Sequence, residues 1–198
     1  MNLTQLQAVA PKVQLFPWES EDARRIAAGR NNENLNRGDR ASYDPTKIMS
    51  DNLAANIHST IAEIGAARII GGYSVNAVWP RKDHSHWAMD LPDIYCQLTE
   101  VEVKWRRRAY SMPIDKKDAE RQRLVLWVEA VMMGCLGTEC DHKDATNLEN
   151  DYARIVGAGW AHELWEGSPQ YGSDVNRRKV SCNQLVPVFD VLDIRSNS

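Results

Sequence analysis

Residues 91–105 read Leu91-Pro-Asp-Ile-Tyr-Cys-Gln-Leu-Thr-Glu-Val-Glu-Val-Lys-Trp105. The last six residues, Glu100 to Trp105, alternate charged and apolar residues without a break. An extended strand repeats every two residues, so Glu100, Glu102 and Lys104 share one face, and Val101, Val103 and Trp105 share the other. The apolar face packs into a core. The other face sets two carboxylates and an ammonium within a few ångströms of one another. Exposed strand faces also alternate Glu and Lys merely to stay soluble, so the hexapeptide needs its surroundings to acquire a function. Upstream, Leu91 to Cys96 reads as a second strand, turning near Gln97 into the strand Leu98 to Arg106. If the two pair as neighbours, Asp93 approaches Glu102.

Working outward, Ser50 or Asp51 caps a helix running to about Ile70. Leu53, Ile57, Ile61 and Ile64 mark its apolar face, Gly65 and neighbouring alanines allow close packing, and Gly71-Gly72 stops it. Glu63 rides on this helix. A first helix covers Trp18 to Asn36, with Ser20 as its expected N-cap and Ala23, Ile26 and Ala27 as a thin apolar stripe. Residues 1–17 read as an irregular arm, and Asn31 to Asp44 as a loop. Tyr73 to Trp79, Leu124 to Met133 and Ala153 to Trp160 read as strands. A short helix or turn passes through Leu164 and Trp165, and a closing strand region lies around Gln184 to Phe189. Helices first, then mostly strands, predicts a single α/β domain over residues 18–195: a central mixed sheet flanked by helices.

The 198 residues carry a net charge of −3, which does not mark a nucleic-acid binder, but the cations are clustered. Lys104, Arg106, Arg107 and Arg108 are followed by Lys116, Lys117, Arg121 and Arg123, then by Arg177, Arg178 and Lys179. Such patches hold polyanions by counterion release. Cys135, Cys140 and His142 lack the second ligand cluster of a structural zinc site, so free thiols are expected at all four cysteines. His84 and His86 read as exposed loop residues. The acidic stretch Gly134 to Asp151 reads as a solvated loop. Trp105, Trp127 and Trp160 are expected in the core, and Trp18, Trp79, Trp87 and Trp165 nearer element ends. There is no phosphate-cradling GxxxxGK[ST] loop and no GxSxG elbow, and no apolar run approaches membrane-spanning length. The reading is an intracellular protein with no membrane partner.

Pro92-Asp93 followed by Glu102-x-Lys104 resembles the PD-(D/E)XK nuclease motif. The order of elements over roughly residues 20–190 is similar to that of small bacteriophage-encoded nucleases of this class. It comprises an Arg-bearing helix (Arg24 to Arg30), the helix carrying Glu63, the motif, the strand Leu124 to Val131, a strand ending in Gly-Trp (Val156 to Trp160) and a closing strand (Gln184 to Phe189). The resemblance implies a restriction-endonuclease-like fold and hydrolysis of DNA phosphodiester bonds, endo- or exonucleolytic, leaving a 5′-phosphate. It implies that Asp93, Glu102 and the Val103 backbone carbonyl ligate Mg²⁺, with Mn²⁺ as a substitute, and that Glu63 serves a second metal or its water. Lys104 would orient or deprotonate the attacking water, with its pKa lowered by burial and by the cation. Arg106, Arg107, Arg108, Lys116 and Lys117 would hold the DNA backbone. Asp90 and Glu100 are rival carboxylates. RNA stays open as a substrate, a homodimer suits double-strand cutting, and a phage origin places the enzyme in the host bacterial cytoplasm. Two other readings compete: an inactive nucleic-acid-binding module, which would bind without cutting, and a phage protein-interaction factor, which would do neither.

Overall fold

The computed structural model describes residues 1–36, 49–75, 91–97, 99–105, 111–131 and 151–196. The strand alternation quoted above is carried by β4 (Thr99–Trp105), where Val101 and Val103 are buried. It pairs antiparallel with β3 (Ile94–Cys96), in register Ile94 to Val101 and Cys96 to Thr99. Gln97 makes the turn with φ 53°. On its other side β4 runs parallel to β6 (Leu124–Val131), with Glu102 beside Val125 and Lys104 beside Trp127. The sheet continues to β7 (Tyr152–Trp160) and ends at β1 (Lys12–Gln14); beyond β3 it ends at β2 (Tyr73–Ser74), giving the order β1-β7-β6-β4-β3-β2. The mixed central sheet flanked by helices is thus as expected.

Parallel strands cannot be joined by a tight turn; the chain must cross over one face of the sheet. Here the crossover from β4 to β6 carries β5 (Ser111–Asp115) and α4 (Lys116–Glu120). β5 pairs with β9 (Asp174–Ser181), which pairs with β8 (Gln170–Tyr171), forming a second, three-stranded sheet.

β6 therefore has both faces covered, and its first five residues, Leu124 to Val128, form the unbroken apolar run that double burial requires. Leu124, Leu126 and Val128 join a core with α2 (Pro17–Asn36), α3 (Met49–Ile70) and α6 (Val188–Ser196). Val125 and Trp127 join a second core with Leu6 of α1 (Leu3–Val9), Met112 and Ile114 of β5, Leu164 of α5 (Ala161–Glu166) and Val180 of β9. Trp127 and Trp160 are buried, and Trp105, partly buried, stacks on His58. Trp165 lies under the Arg178 guanidinium, whereas Trp18 is exposed. Among the described residues, no helix is long and apolar enough to cross a membrane.

Three expectations need correction. Residues 1–17 are not an irregular arm. Asn2 and Gln5 form reciprocal 2.9 Å cap bonds that start α1, and β1 closes the sheet edge. Ser20 does not cap α2. The helix begins at Pro17, whose missing N–H costs nothing in the first turn, and the Glu19 carboxylate accepts from Phe16 N at 2.8 Å. The closing strand around Gln184 to Phe189 is reduced to one antiparallel bridge, Val186 to Ala158, between a 3-10 turn, Cys182–Gln184, and α6. Pro187 precedes that helix, with Asp190 in its first turn, where a negative charge suits the helix dipole. The strand expected over Tyr73 to Trp79 is described only as Tyr73–Ser74. Residues 76–79, Cys135, Cys140, His142, His84, His86, Trp87 and residues 134–150 of the acidic loop lie outside the described residues; Asp151, the last residue of that loop, is not solvated as expected but buried, 2.6 Å from Arg24.

Gly65 shows how tightly α3 lies on the sheet. A Cβ built there would sit 2.3 Å from the Ala153 Cβ on β7. Gly65→Ala is therefore expected to destabilise the fold by about 1–3 kcal/mol, although alanine is the better helix former by about 1 kcal/mol. A urea midpoint that rises in this variant would refute the close approach.

Candidate active site

Glu102 and Lys104 project from the middle of the sheet, on the face that the crossover covers. The Lys104 ammonium lies 2.8 Å from Glu102 Oε1 and 3.4 Å from both Asp115 Oδ2 and Asp118 Oδ2. Burial alone would lower the lysine pKa, but Glu102, Asp118 and Asp115 outweigh it and hold the pKa above its ordinary value. The lowering expected of Lys104 belongs to a site with a cation beside it; with the protein groups alone, the three carboxylates set the direction. With the protein groups alone, an ammonium ringed by three carboxylates is held as a cation and hydrogen-bond donor.

Asp93 stands one residue before β3 and turns its carboxylate onto β4. Its Oδ2 accepts from Val103 N at 2.7 Å, at the residue between Glu102 and Lys104. In an extended strand the N–H and C=O of one residue leave on the same side, so the Val103 carbonyl faces the Asp93 side too. Burial, followed by the charges of Glu102 and Glu63, raises the Asp93 pKa well above the usual carboxylate range; Val103 N–H and Lys104 pull the other way. Glu63 reaches this centre from α3, and is oriented by Arg30 of α2, whose NH1 and NH2 lie 3.0 and 2.9 Å from its two oxygens, and by Ser59 Oγ at 3.1 Å.

The raised Asp93 pKa sets a stability profile. In the folded state Asp93 binds its proton more tightly than in the unfolded chain. The stability this provides is complete below about pH 4 and lost as pH rises through the elevated folded value. Asp93→Asn can still accept from Val103 N but cannot ionise. It is expected to be more stable than the parent at pH 7, by on the order of 1 kcal/mol, with the difference vanishing toward pH 4. Thermal melts across that range in metal-free buffer check this; equal melting temperatures at pH 7 would refute it.

The sequence reading missed three groups. Arg123, at the start of β6, is fully buried. It donates from Nε to Glu100 Oε2 at 2.9 Å and from NH1 to Asp118 Oδ1 at 3.0 Å, and lies 3.5 Å from Glu102 Oε2. Its pKa is raised: burial lowers it, but hydrogen bonds and charges from Glu100, Glu102 and Asp118 prevail. Asp118 is likewise buried, and Asp115 bridges Lys104 to Arg177, whose Nε is 2.8 Å away. The rival Glu100 shares the strand face, but is drawn to Arg123 and, at 3.7 Å, to Arg121. Lys116 is exposed and lies 3.4 Å from Glu120. Lys116 and Lys117 line a cleft of about 480 Å³ with Asp115, Glu120, Asn176 and Arg177. Asp90, Arg106, Arg107 and Arg108 lie outside the described residues. Cys96 and Cys182 are free thiols, both buried.

Asp93, Glu102, Glu63 and the Val103 carbonyl offer oxygen alone, the donor type that Mg²⁺ and Mn²⁺ prefer. Burial, and after it the charges of Glu102 and Glu63, raise the Asp93 pKa; a divalent cation would relieve the repulsion among these carboxylates, so the donor set fits such an ion. Among the described residues, no three His, Cys, Asp or Glu side chains are gathered as a ready-made metal cage; Glu102 turns to Lys104 and Glu63 to Arg30. No protein-family model matches the chain, and neither a curated protein nor a solved structure matches it.

Proposed function

We propose that this chain is a divalent-metal-dependent nuclease that hydrolyses DNA phosphodiester bonds, with a restriction-endonuclease-like arrangement of its sheet and helices. The observation that carries the reading is the 2.7 Å bond from Val103 N to Asp93, which pins one carboxylate onto the strand between Glu102 and Lys104. Two of the three groups needed for phosphoryl chemistry thus come from one strand face, and the third is tethered to that strand's backbone.

Asp93, Glu102 and the Val103 carbonyl would hold the cation, with Glu63 beside them. The chemistry supplied by Mg²⁺ or Mn²⁺ there is charge neutralisation on the phosphate and acidification of water. Lys104, kept protonated by its three carboxylate neighbours, donates to a phosphate oxygen and stabilises the charge that builds as the P–O ester bond breaks. Water supplies the new P–O bond and sheds its proton to solvent or to a carboxylate, while the leaving sugar oxygen takes up a proton from solvent. Arg30 and Arg123 fix Glu63 and Glu102 rather than touching the substrate.

Incubating the protein with linear and circular DNA, single- and double-stranded, and with RNA, in Mg²⁺, Mn²⁺ or EDTA, tests this. Cutting that EDTA abolishes supports the proposal. Binding without cutting would support the inactive-module reading, and absence of both would leave a protein-interaction factor.

A further inference from the structure

The face of the sheet that carries Glu102 and Lys104 also carries two exposed tyrosines. Tyr95 on β3 is paired directly with Glu100 on β4, and Tyr73 on β2 is paired directly with Tyr95. Directly opposed residues of antiparallel strands point to the same face with Cβ atoms about 4.5–5.5 Å apart. Tyr73, Tyr95 and Glu100 therefore form one row running from the sheet edge toward the acidic centre. Ile94 and Cys96, the neighbours of Tyr95 along the strand, turn the other way into the helix-side core. Tyr73 is 83% exposed and Tyr95 39%. Two large aromatic rings are thus held in the open by hydrogen-bonded strands, and among the described residues Tyr73 belongs to neither apolar core. Tyr95 follows Asp93 by two residues, so their backbones lie at most about 7 Å apart. The Glu100 end of the row is charge-compensated by Arg123 and Arg121.

We propose that Tyr73 and Tyr95 form a stacking platform for unpaired bases, so that the substrate is engaged as single-stranded DNA beside the scissile phosphate. This rests on the nuclease reading for the identity of the polyanion. The chemistry selects bases over other occupants. Aromatic faces stack on any base without needing its sequence, and the spacing from Tyr95 to Asp93 leaves a phosphate next to the stacked nucleotide within reach of the acidic centre. A duplex keeps its bases inside and offers the row only its terminal pair.

Binding of a single-stranded oligonucleotide carrying one 2-aminopurine is measured in EDTA, and cleavage of the same strand in Mg²⁺, for the parent, Tyr73→Ala, Tyr95→Ala and the corresponding Phe variants. Loss of a base–aromatic stack is expected to weaken single-strand binding about 5- to 150-fold and to abolish 2-aminopurine quenching. Blunt-duplex binding should stay within about twofold, and Phe should restore both signals because it keeps the ring. Tyr73→Ala is the decisive variant, since so exposed a side chain is not needed for folding. Unchanged oligonucleotide affinity and quenching in Tyr73→Ala and Tyr95→Ala, with the parent still cutting, would overturn the platform and leave the nuclease standing. Quenching that depends on the tyrosines, in a protein that cuts nothing with either metal, would sustain the platform and remove the nuclease. A change in self-association in Tyr73→Ala, with oligonucleotide binding intact, would assign the row to contact between copies and overturn the proposal.

Discussion

Replacing Glu102 by Gln is expected to slow metal-dependent DNA cleavage by about 100- to 1,000-fold while leaving DNA affinity in EDTA within a few-fold of the parent. The substitution preserves shape and can still accept from Lys104, now 2.8 Å from Glu102 Oε1. It removes the charge that a cation would need. Lys104→Gln should lose a similar factor, but its result is harder to read, because it also leaves Glu102, Asp115 and Asp118 without their shared cation. Single-turnover rates at saturating Mg²⁺, with circular dichroism to show that the variants fold, decide the matter. A Glu102→Gln protein retaining a tenth of the parental rate would remove Glu102 from the reaction.

The second large effect is structural. Arg123→Met is expected to destabilise the fold by about 3–5 kcal/mol, the cost of stranding a buried charge by removing its partner. Asp118 is fully buried and bonded to Arg123 at 3.0 Å; among the described residues its other oxygen, Oδ2, has no hydrogen-bond partner, with the Lys104 ammonium at 3.4 Å. Adding Asp118→Leu to Arg123→Met should recover part of the loss, since an apolar pair can replace a buried ion pair at little cost. Urea midpoints at constant slope measure both. A single-variant loss under 1 kcal/mol would mean that water or Lys104 already satisfies Asp118.

These two groups differ in how visible they are in the sequence. Glu102 and Lys104 were legible because a strict two-residue alternation places charges on one face whatever the strand pairs with. Asp93 was legible through the tight turn at Gln97, which forces β3 back along β4. Arg123 and Asp118 were not. They belong to the run Lys116-Lys117-Asp118-Ala119-Glu120-Arg121-Gln122-Arg123, whose composition is that of a solvated surface. Only the parallel pairing of β4 with β6 folds this run over the face and inward. The signal available was the double-sided apolar pattern of Leu124 to Val128, which demands a crossover without saying which of its charges turn in. The N-terminal helix carried its own mark, Asn2 three residues before Gln5, a capping pair outside the most familiar Ser/Thr–Glu form. The closing segment misled because Val186, Val188 and Phe189 suggest a strand, whereas Pro187 ends the extended stretch and starts a helix. The tyrosine row could not be read from sequence, since only the strand register sets Tyr73 opposite Tyr95.

The sheet edge at β1 bears on how the molecule is made. Lys12 pairs with Arg154 and Gln14 with Tyr152, and Arg24 of the first long helix binds Asp151, 127 positions later, at 2.6 Å. During translation the opening segment leaves the ribosome long before β7 exists. Contacts so distant along the chain make assembly slow, and they expose the apolar sides of α2 and α3 to chaperones and to aggregation until synthesis reaches β7.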